Sequence, residues 1–312
     1  MKRILITGGA GFVGSNTVKY ALGIGLNVSV LDSFENAVVS KHALQKLGVN
    51  VLELNIENSQ NLEQMNDEYD AIVHLAAQVS VPKSIQEPEK NQFVNVDGSE
   101  HVLQFAQRNN VKRFIFASSS AVYGDCETMP LREDSKGELQ SPYAQTKSEV
   151  EDMIDECFQQ GEEFLSLRFF NVYGPNQRFD SNYGAVIPIF IDRFSRGIQP
   201  SIYGSGAQSR DFVHVHDVAR LLVDLATSEW PQPKQSVYNV GTGKAVTIIQ
   251  LASLIHELTQ PDVAFEPSFQ PVRLGDIEHS VASIEAIRRD LRWEPKISLE
   301  DGLRELIEVN RS

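Results

Sequence analysis

The first 32 residues constrain the chain more than any other stretch. Lys2-Arg3-Ile4-Leu5-Ile6-Thr7 is an apolar run behind a basic start, the pattern of a strand buried on both faces. Gly8-Gly9-Ala10-Gly11-Phe12-Val13-Gly14 follows without a gap. Glycines so placed make a tight turn, let backbone approach a pyrophosphate and let a helix pack close to a sheet, while free amides at the helix start face negative charge. Residues 15–22 read as that helix, Gly23 and Gly25 as its end, and residues 26–31 as a second strand closing on Asp32. A carboxylate at that strand end accepts both hydroxyls of an adenosine ribose and repels a 2′-phosphate, which favours NAD over NADP.

Composition excludes several partners. The chain has 312 residues, 41% of them hydrophobic, enough for a large core and two lobes. It carries 28 Lys and Arg against 42 Asp and Glu, a net charge of -14, and has no basic block. That argues against tracking a nucleic-acid backbone or an anionic membrane surface, while one or two placed arginines still suffice for a diphosphate. Cys126 and Cys157 have no metal or redox spacing and read as free thiols of a reducing compartment. Glycines interrupt the first apolar segment and no 18-residue apolar span occurs, so a cytoplasmic protein is expected. His214-Val215-His216 places two imidazoles on one face of an extended segment, but no third ligand accompanies them in sequence and no metal site is expected.

The remaining elements follow in alternation. A helix over 38–47 precedes a strand over 49–54, whose end carries Asn55-Ile56 where an amide can meet the adenine. A helix fragment over 62–66 leads to a strand over 71–77, with small residues at its carboxyl end where a flat cofactor needs room. A helix over 94–108 has Asn95 near its start, and a strand over 111–120 ends in Ser118-Ser119-Ser120-Ala121-Val122-Tyr123-Gly124. A turn-rich loop over 130–142, a helix over 143–158 and a strand over 164–169 complete this half. Beyond it lie a glycine- and asparagine-rich interval, helices over 185–196, 217–227, 248–258 and 284–291, and a strand over 236–240. The pattern predicts an α/β protein: a Rossmann-like, doubly wound parallel sheet with a smaller C-terminal substrate-binding lobe. The expected division is 1–171, with returns from about 213–243, against 172–212 and 244–312.

Tyr143-Ala144-Gln145-Thr146-Lys147 puts a phenol and an ammonium about one turn apart on one helix face. The lysine can stabilise a phenolate and donate to the hydroxyls of a nicotinamide ribose, which makes the phenol an acid/base. Either Ser119 or Ser120 can hydrogen-bond the hydroxyl that the phenol deprotonates.

With these residues in view, the chain resembles the extended short-chain dehydrogenases/reductases, specifically their nucleotide-sugar epimerases and dehydratases. The resemblance runs from Gly8–Gly14 through Tyr143 and Lys147 to Arg273-Leu274-Gly275-Asp276. It implies NAD held by Gly8, Gly11, Phe12, Val13, Gly14, Asp32, Ser33, Asn55, Ile56, Leu75, Ala76, Ala77, Gln78, Asn95, Ser118, Tyr143, Lys147 and Phe170. It makes Ser119 the catalytic hydroxyl, five residues before Gly124, with Ser120 second. Asn55 departs from the aspartate of many relatives. The acid pair that dehydratases carry after the catalytic hydroxyl is replaced by Ser120 and Ala121, and the decarboxylases' glutamate is missing too, which leaves C4 epimerisation. The resemblance further implies a UDP-sugar held by Arg210 and Arg273 as clamps, Asn171 at the diphosphate, Ala185 and Val186 at the uridine, and Ser80, Lys83, Tyr203, Ser119 and Ser120. Ser280 stands where a bulky residue would exclude an N-acetyl group, so UDP-N-acetylglucosamine is the first expectation. UDP-glucose and UDP-glucuronate 4-epimerases are the alternatives. A non-catalytic NAD-binding regulator would show a broken Tyr/Lys pair or glycine loop, and neither is seen. A homodimer through helices 94–108 and 143–158 is also implied.

Overall fold

A computed structural model describes residues 2–63, 65, 68–178, 185–229, 233–260, 262–272 and 277–311. The expected clamp Arg273 and the Tyr183-Gly184 pair lie outside the described residues. Seven parallel strands form the main sheet: β1 (Arg3–Thr7), β2 (Asn27–Asp32), β3 (Asn50–Glu53), β4 (Ala71–His74), β5 (Arg113–Ser119), β6 (Glu163–Phe169) and β7 (Val237–Val240). Their order is β7-β6-β5-β4-β1-β2-β3. The winding reverses between β1 and β4, and a ligand crevice opens outside the carboxyl ends of strands at such a reversal.

Alternation along the strands sends side chains to two cores. Ile4 and Ile6 of β1 face one cluster with Val18, Val28, Val30, Val73, Val218 and Leu222. Leu5 faces the other with Ile72, Phe114, Phe116, Val102, Phe105, Val150 and Ile154. The first cluster is covered by α1 (Phe12–Gly23), and the second by α2 (Gly98–Arg108) and α3 (Pro142–Gln159). A third cluster joins α4 (Val186–Ser195), α6 (Ile248–Thr259) and α7 (Leu299–Arg311) through Phe190, Phe194, Leu251, Ile255, Leu303 and Leu306. Between α4 and α6, α5 (Val215–Thr227) returns to the main sheet, as β7 does. Ala282, Ile284, Ile287 and Trp293 also pack in the first cluster, so part of the chain after residue 244 belongs to the main-sheet core.

Most element ends shift from the sequence reading by one to three residues. The expected helix over 38–47 is confined to Lys41–Lys46, because the Ser40 hydroxyl caps it by accepting from the Ala43 amide. The helix over 94–108 starts with a π-helical turn, Phe93–Asp97, before α2. Two short helices, Val81–Gln86 and Pro88–Gln92, precede it, and α7 closes the chain. The sequence reading missed all three, although their start signals are present: Ser80 caps the first, Pro88 opens the second, and the Ser298 hydroxyl accepts from the Asp301 amide at the third. His214 ends a strand, Phe212–His214, while His216 lies in α5, so the two are not on one extended segment.

The apolar faces of α2 and α3 are occupied by the protein's own core, and Glu149, Asp152 and Glu156 line the exposed side of α3. No described helix is long and apolar enough to cross a membrane.

Close approach of α1 to the loop depends on Gly14. A Cβ added there would lie 2.1 Å from the Gly8 carbonyl oxygen and 2.7 Å from the Gly9 Cα, both rigid backbone. G14A should therefore destabilise the fold by about 1–3 kcal/mol. The expected signature is a lower urea midpoint with an unchanged m value; an unchanged midpoint would contradict this packing.

Candidate active site

The site begins where β1 and β4 end side by side. Gly8 has φ +67°, donates its amide to the Leu31 carbonyl at 2.8 Å, and sits so close to β4 that a Cβ would lie 2.7 Å from the Ala76 nitrogen. Gly11 donates back to the Gly8 carbonyl at 3.1 Å, which closes the turn ahead of α1. Asp32, 8% exposed, accepts from the Ala10 amide on Oδ2 at 2.9 Å and from the Phe34 amide on Oδ1 at 2.8 Å. Each carboxylate oxygen thus carries one backbone bond and retains acceptor capacity. A glycine turn, a helix start and a fixed carboxylate at one strand reversal fit a dinucleotide: the turn and Phe12–Gly14 for the pyrophosphate, Asp32 for the adenosine ribose.

A buried hydrogen-bond chain ties this cradle to α3. The Thr7 hydroxyl accepts from the Leu75 and Ala76 amides at 3.2 Å each, so its own proton goes to His74 Nδ1 at 2.7 Å. His74 Nε2 then donates to Ser99 Oγ at 2.9 Å, and Ser99 donates to the Asn95 carbonyl. Burial, aided by the charge of Lys147, pushes His74 down to about 3, so the ring is neutral, as this chain requires. Asn95 accepts from the Gln78 amide at 2.8 Å and donates to Thr146 Oγ1 of α3 at 3.1 Å. The π-helical turn turns Asn95 into the interior. Thr7, His74, Ser99 and Thr146 were not anticipated; the detectable signal was a histidine inside the apolar run Ala71-Ile72-Val73-His74-Leu75.

The chemistry-bearing groups stand at the edge of β5. Ser141 caps α3 by accepting from the Ala144 amide at 3.2 Å, and Pro142 occupies the first turn. This places Tyr143 in that turn, where Ser84 Oγ also accepts its amide at 3.2 Å. Ser119 caps the short turn Ser120–Tyr123, its hydroxyl accepting from the Ala121 amide at 3.2 Å, and stands beside the Tyr143 phenol. Ser120, the alternative, is the first residue of that turn. Burial pushes the phenol pKa up, and the polar Ser119 side chain opposes that push. Lys147 lies one turn along, its Nζ 5.8 Å from the Tyr143 ring centroid and 4.5 Å from that of Phe116, donating to the Ala117 carbonyl at 2.7 Å. Burial lowers its pKa to about 7, against the charge of Glu151. In this arrangement the ammonium is hydrogen-bonded to the strand and not to the phenol.

The other expected residues are distributed around this centre. The Ser118 hydroxyl is engaged with Glu151. Ile56 is buried against Gly98, and Asn55 lies at the β3 end where its carbonyl accepts from Asn58. Ser33 begins the exposed loop after β2. Ala77 and Gln78 follow β4 and are half-buried. Phe170 is buried, 6.2 Å from the Tyr123 ring, and the next residue, Asn171, is exposed. Ser80 and exposed Lys83 are on the helix entered after β4. Ala185 caps α4 and Val186 opens it. Arg210 and buried Ser280 are register partners on adjacent short strands, while exposed Tyr203 is on a separate two-stranded sheet.

The structure also adds Glu305 to His214 and His216, all within 4.8 Å by their ligating atoms. The His216 amide donates to His214 Nδ1 at 3.3 Å, which leaves the proton of a neutral ring on Nε2, the nitrogen 3.5 Å from Glu305. That tautomer turns a proton, not a metal-binding lone pair, toward the carboxylate, although Nε2 makes no hydrogen bond there.

Residues 4–241 match the NAD dependent epimerase/dehydratase family. The chain belongs to this family. Its cofactor is NAD. Among solved structures, the chain is similar to a UDP-N-acetylglucosamine 4-epimerase from Methanobrevibacter ruminantium, with 33% identity, a TM-score of 0.90, and coverage of 100% of this chain and 99% of the other. It is equally similar to a UDP-glucose 4-epimerase from Thermotoga maritima solved with UDP-glucose, at 34% identity and a TM-score of 0.90, covering 99% and 98%. A UDP-glucose 4-epimerase from Thermus thermophilus in complex with NAD has 31% identity and a TM-score of 0.86, covering 99% of each. As a member of this epimerase/dehydratase family the chain should depend on Asp32 for its cofactor. D32N is expected to weaken NAD binding about tenfold or more, with little effect on NADP, in calorimetric titration. Equal NAD affinity in the variant would remove Asp32 from the site.

Proposed function

We propose that this family member is an NAD-dependent UDP-hexose 4-epimerase whose main substrate pair is UDP-glucose and UDP-galactose. The observation that carries the reading is buried Tyr143 beside Ser119, with Lys147 one turn away on the same helix, at the carboxyl ends of the strands that also carry the dinucleotide cradle. Ser120 and Ala121 offer no acid or base for eliminating water. The similarity to two UDP-glucose 4-epimerases supports glucose as the sugar ahead of the N-acetylated sugar expected from Ser280 alone. A small side chain at a gate admits a larger substrate without rejecting the smaller one. Buried Ser280, level with Arg210, supports UDP-N-acetylglucosamine as a second substrate.

When bound, NAD would supply a hydride acceptor. The chain's own groups do the remaining work. Ser119 and Tyr143 hold the C4 hydroxyl, and Tyr143 takes its proton as C4 becomes a carbonyl. Burial favours the protonated phenol, so the Lys147 cation is needed to bring Tyr143 into range as a base. Arg210 and Asn171 hold the diphosphate while the 4-keto sugar turns, and Tyr143 returns its proton to the C4 oxygen as C4 regains hydride on its other face. Anchoring the nucleotide while leaving the sugar loose lets remote binding position both faces in turn. Arg210 and Ser280, register partners on adjacent short strands, belong to the sugar-nucleotide side in this reading, and the main sheet to the cofactor side.

Conversion of UDP-glucose and UDP-N-acetylglucosamine, followed by NMR of the sugar protons without added reductant, tests the reading. Wild type should form the C4 epimer of UDP-glucose, and Y143F should lose at least about 100-fold in kcat. Failure of wild type on both, and on UDP-glucuronate, would overturn it. In the same assay S280Y should impair the N-acetylated sugar selectively; equal losses on both sugars would defeat the gate.

A further inference from the structure

Behind the catalytic face lies a buried ion pair that the mechanism above does not use. Glu151 is on α3 one turn beyond Lys147, and Arg168 is on β6 as the register partner of Ser118 on β5. Arg168 Nη2 donates to Glu151 Oε2 at 2.7 Å, and its Nε donates to Oε1 at 3.0 Å and Oε2 at 3.2 Å. Arg168 Nη1 donates to the Glu133 carbonyl at 2.9 Å, and the guanidinium lies 4.7 Å from the Tyr123 ring centroid. The fourth partner is the Ser118 hydroxyl, which donates to Glu151 Oε1. Ser118 stands between Ala117, whose carbonyl holds Lys147, and Ser119, which stands beside the Tyr143 phenol. One carboxylate is therefore tied to the strand end that presents both halves of the catalytic pair.

We propose that Glu151 is a positioning residue for Lys147: through Ser118 it fixes the β5 end whose Ala117 carbonyl holds the ammonium, and it is the buried carboxylate one helical turn from that ammonium. The proposal rests on the reading that Lys147 acts as a cation. Glu151 is paired with Arg168 on one side and stands one helical turn from buried Lys147 on its own helix. The groups facing Lys147 are few: Tyr143 and Glu151 from its own helix, neutral His74 from β4, and the Phe116 ring and Ala117 carbonyl from β5. Arg168 on β6 and Glu133 in the loop after β5 act through Glu151. Burial already draws the lysine toward its neutral form, and Glu151 opposes this. A bidentate pair kept only for packing would act on stability; this one should also act on proton affinity.

The test uses NAD-saturated protein labelled at lysine Cε with ¹³C, titrated by NMR, with K147M to assign the Lys147 signal. In E151Q the lysine should lose its proton about one pH unit lower than in wild type. The alkaline limb of kcat should move down by the same amount, with KM for UDP-glucose unchanged, and E151D should restore most of both. Where E151Q does not fold, E151Q/R168Q removes the unpaired guanidinium and should show a smaller shift in the same direction. A Lys147 signal that titrates as in wild type, in whichever variant folds, overturns the proposal and leaves the pair a packing element. Wild type that converts no UDP-hexose would overturn the epimerase reading instead, and the NMR titration would still decide the role of Glu151.

Discussion

The site depends on one contact between backbones, the meeting of the β1 and β4 ends. Gly8 has no side chain because the Ala76 nitrogen occupies the place a Cβ would take, and Gly14 has none because the Gly8 carbonyl does. These two approaches bring the start of α1 to the crevice with its free amides forward. Thr7 then closes the same junction from inside by accepting two amides of the segment after β4. Strand reversal at this point in the sheet order is what makes the junction a cleft rather than a packed interior.

From that junction, order is transmitted by buried polar groups with fixed donor direction. Thr7, His74, Ser99, Asn95 and Thr146 form an uninterrupted path from the cradle to the helix that carries Tyr143 and Lys147. A neutral His74 is essential to it, since a doubly protonated ring could not accept from Thr7. The local charge pattern also differs from the global one. The molecule carries a net charge of -14, yet α3 points a lysine inward and Glu149, Asp152 and Glu156 outward. The acidic surface says little about a site where two buried cations share one carboxylate.

Local pattern was sufficient for the sheet, because buried strands and glycine turns are encoded within a few residues. The same holds for Asp32 and for the Tyr143–Lys147 spacing, each legible from neighbours in the chain. What could not be read were partnerships across long separations: Thr7 with His74, Ser84 with Tyr143, Ser118 with Glu151, and Glu305 with His214. Each joins residues whose local context is ordinary. The break of the 94–108 helix into a π-helical turn was equally hidden, since its cause is the demand that Asn95 face Gln78 and Thr146. The N-acetyl preference inferred from Ser280 shows the opposite limit, a single small residue that permits a substrate without requiring it.

In the proposed 4-epimerase, one site both takes the C4 hydrogen away and gives it back, without release. Incubation of a mixture of UDP-[4-²H]glucose and unlabelled UDP-glucose with the purified protein, followed by mass spectrometry of the UDP-galactose formed, tests this directly. The account predicts that the deuterium is retained in full at C4, with no loss to water and no dilution by added unlabelled NADH. Washout of the label, or accumulation of NADH in step with substrate loss, would contradict it.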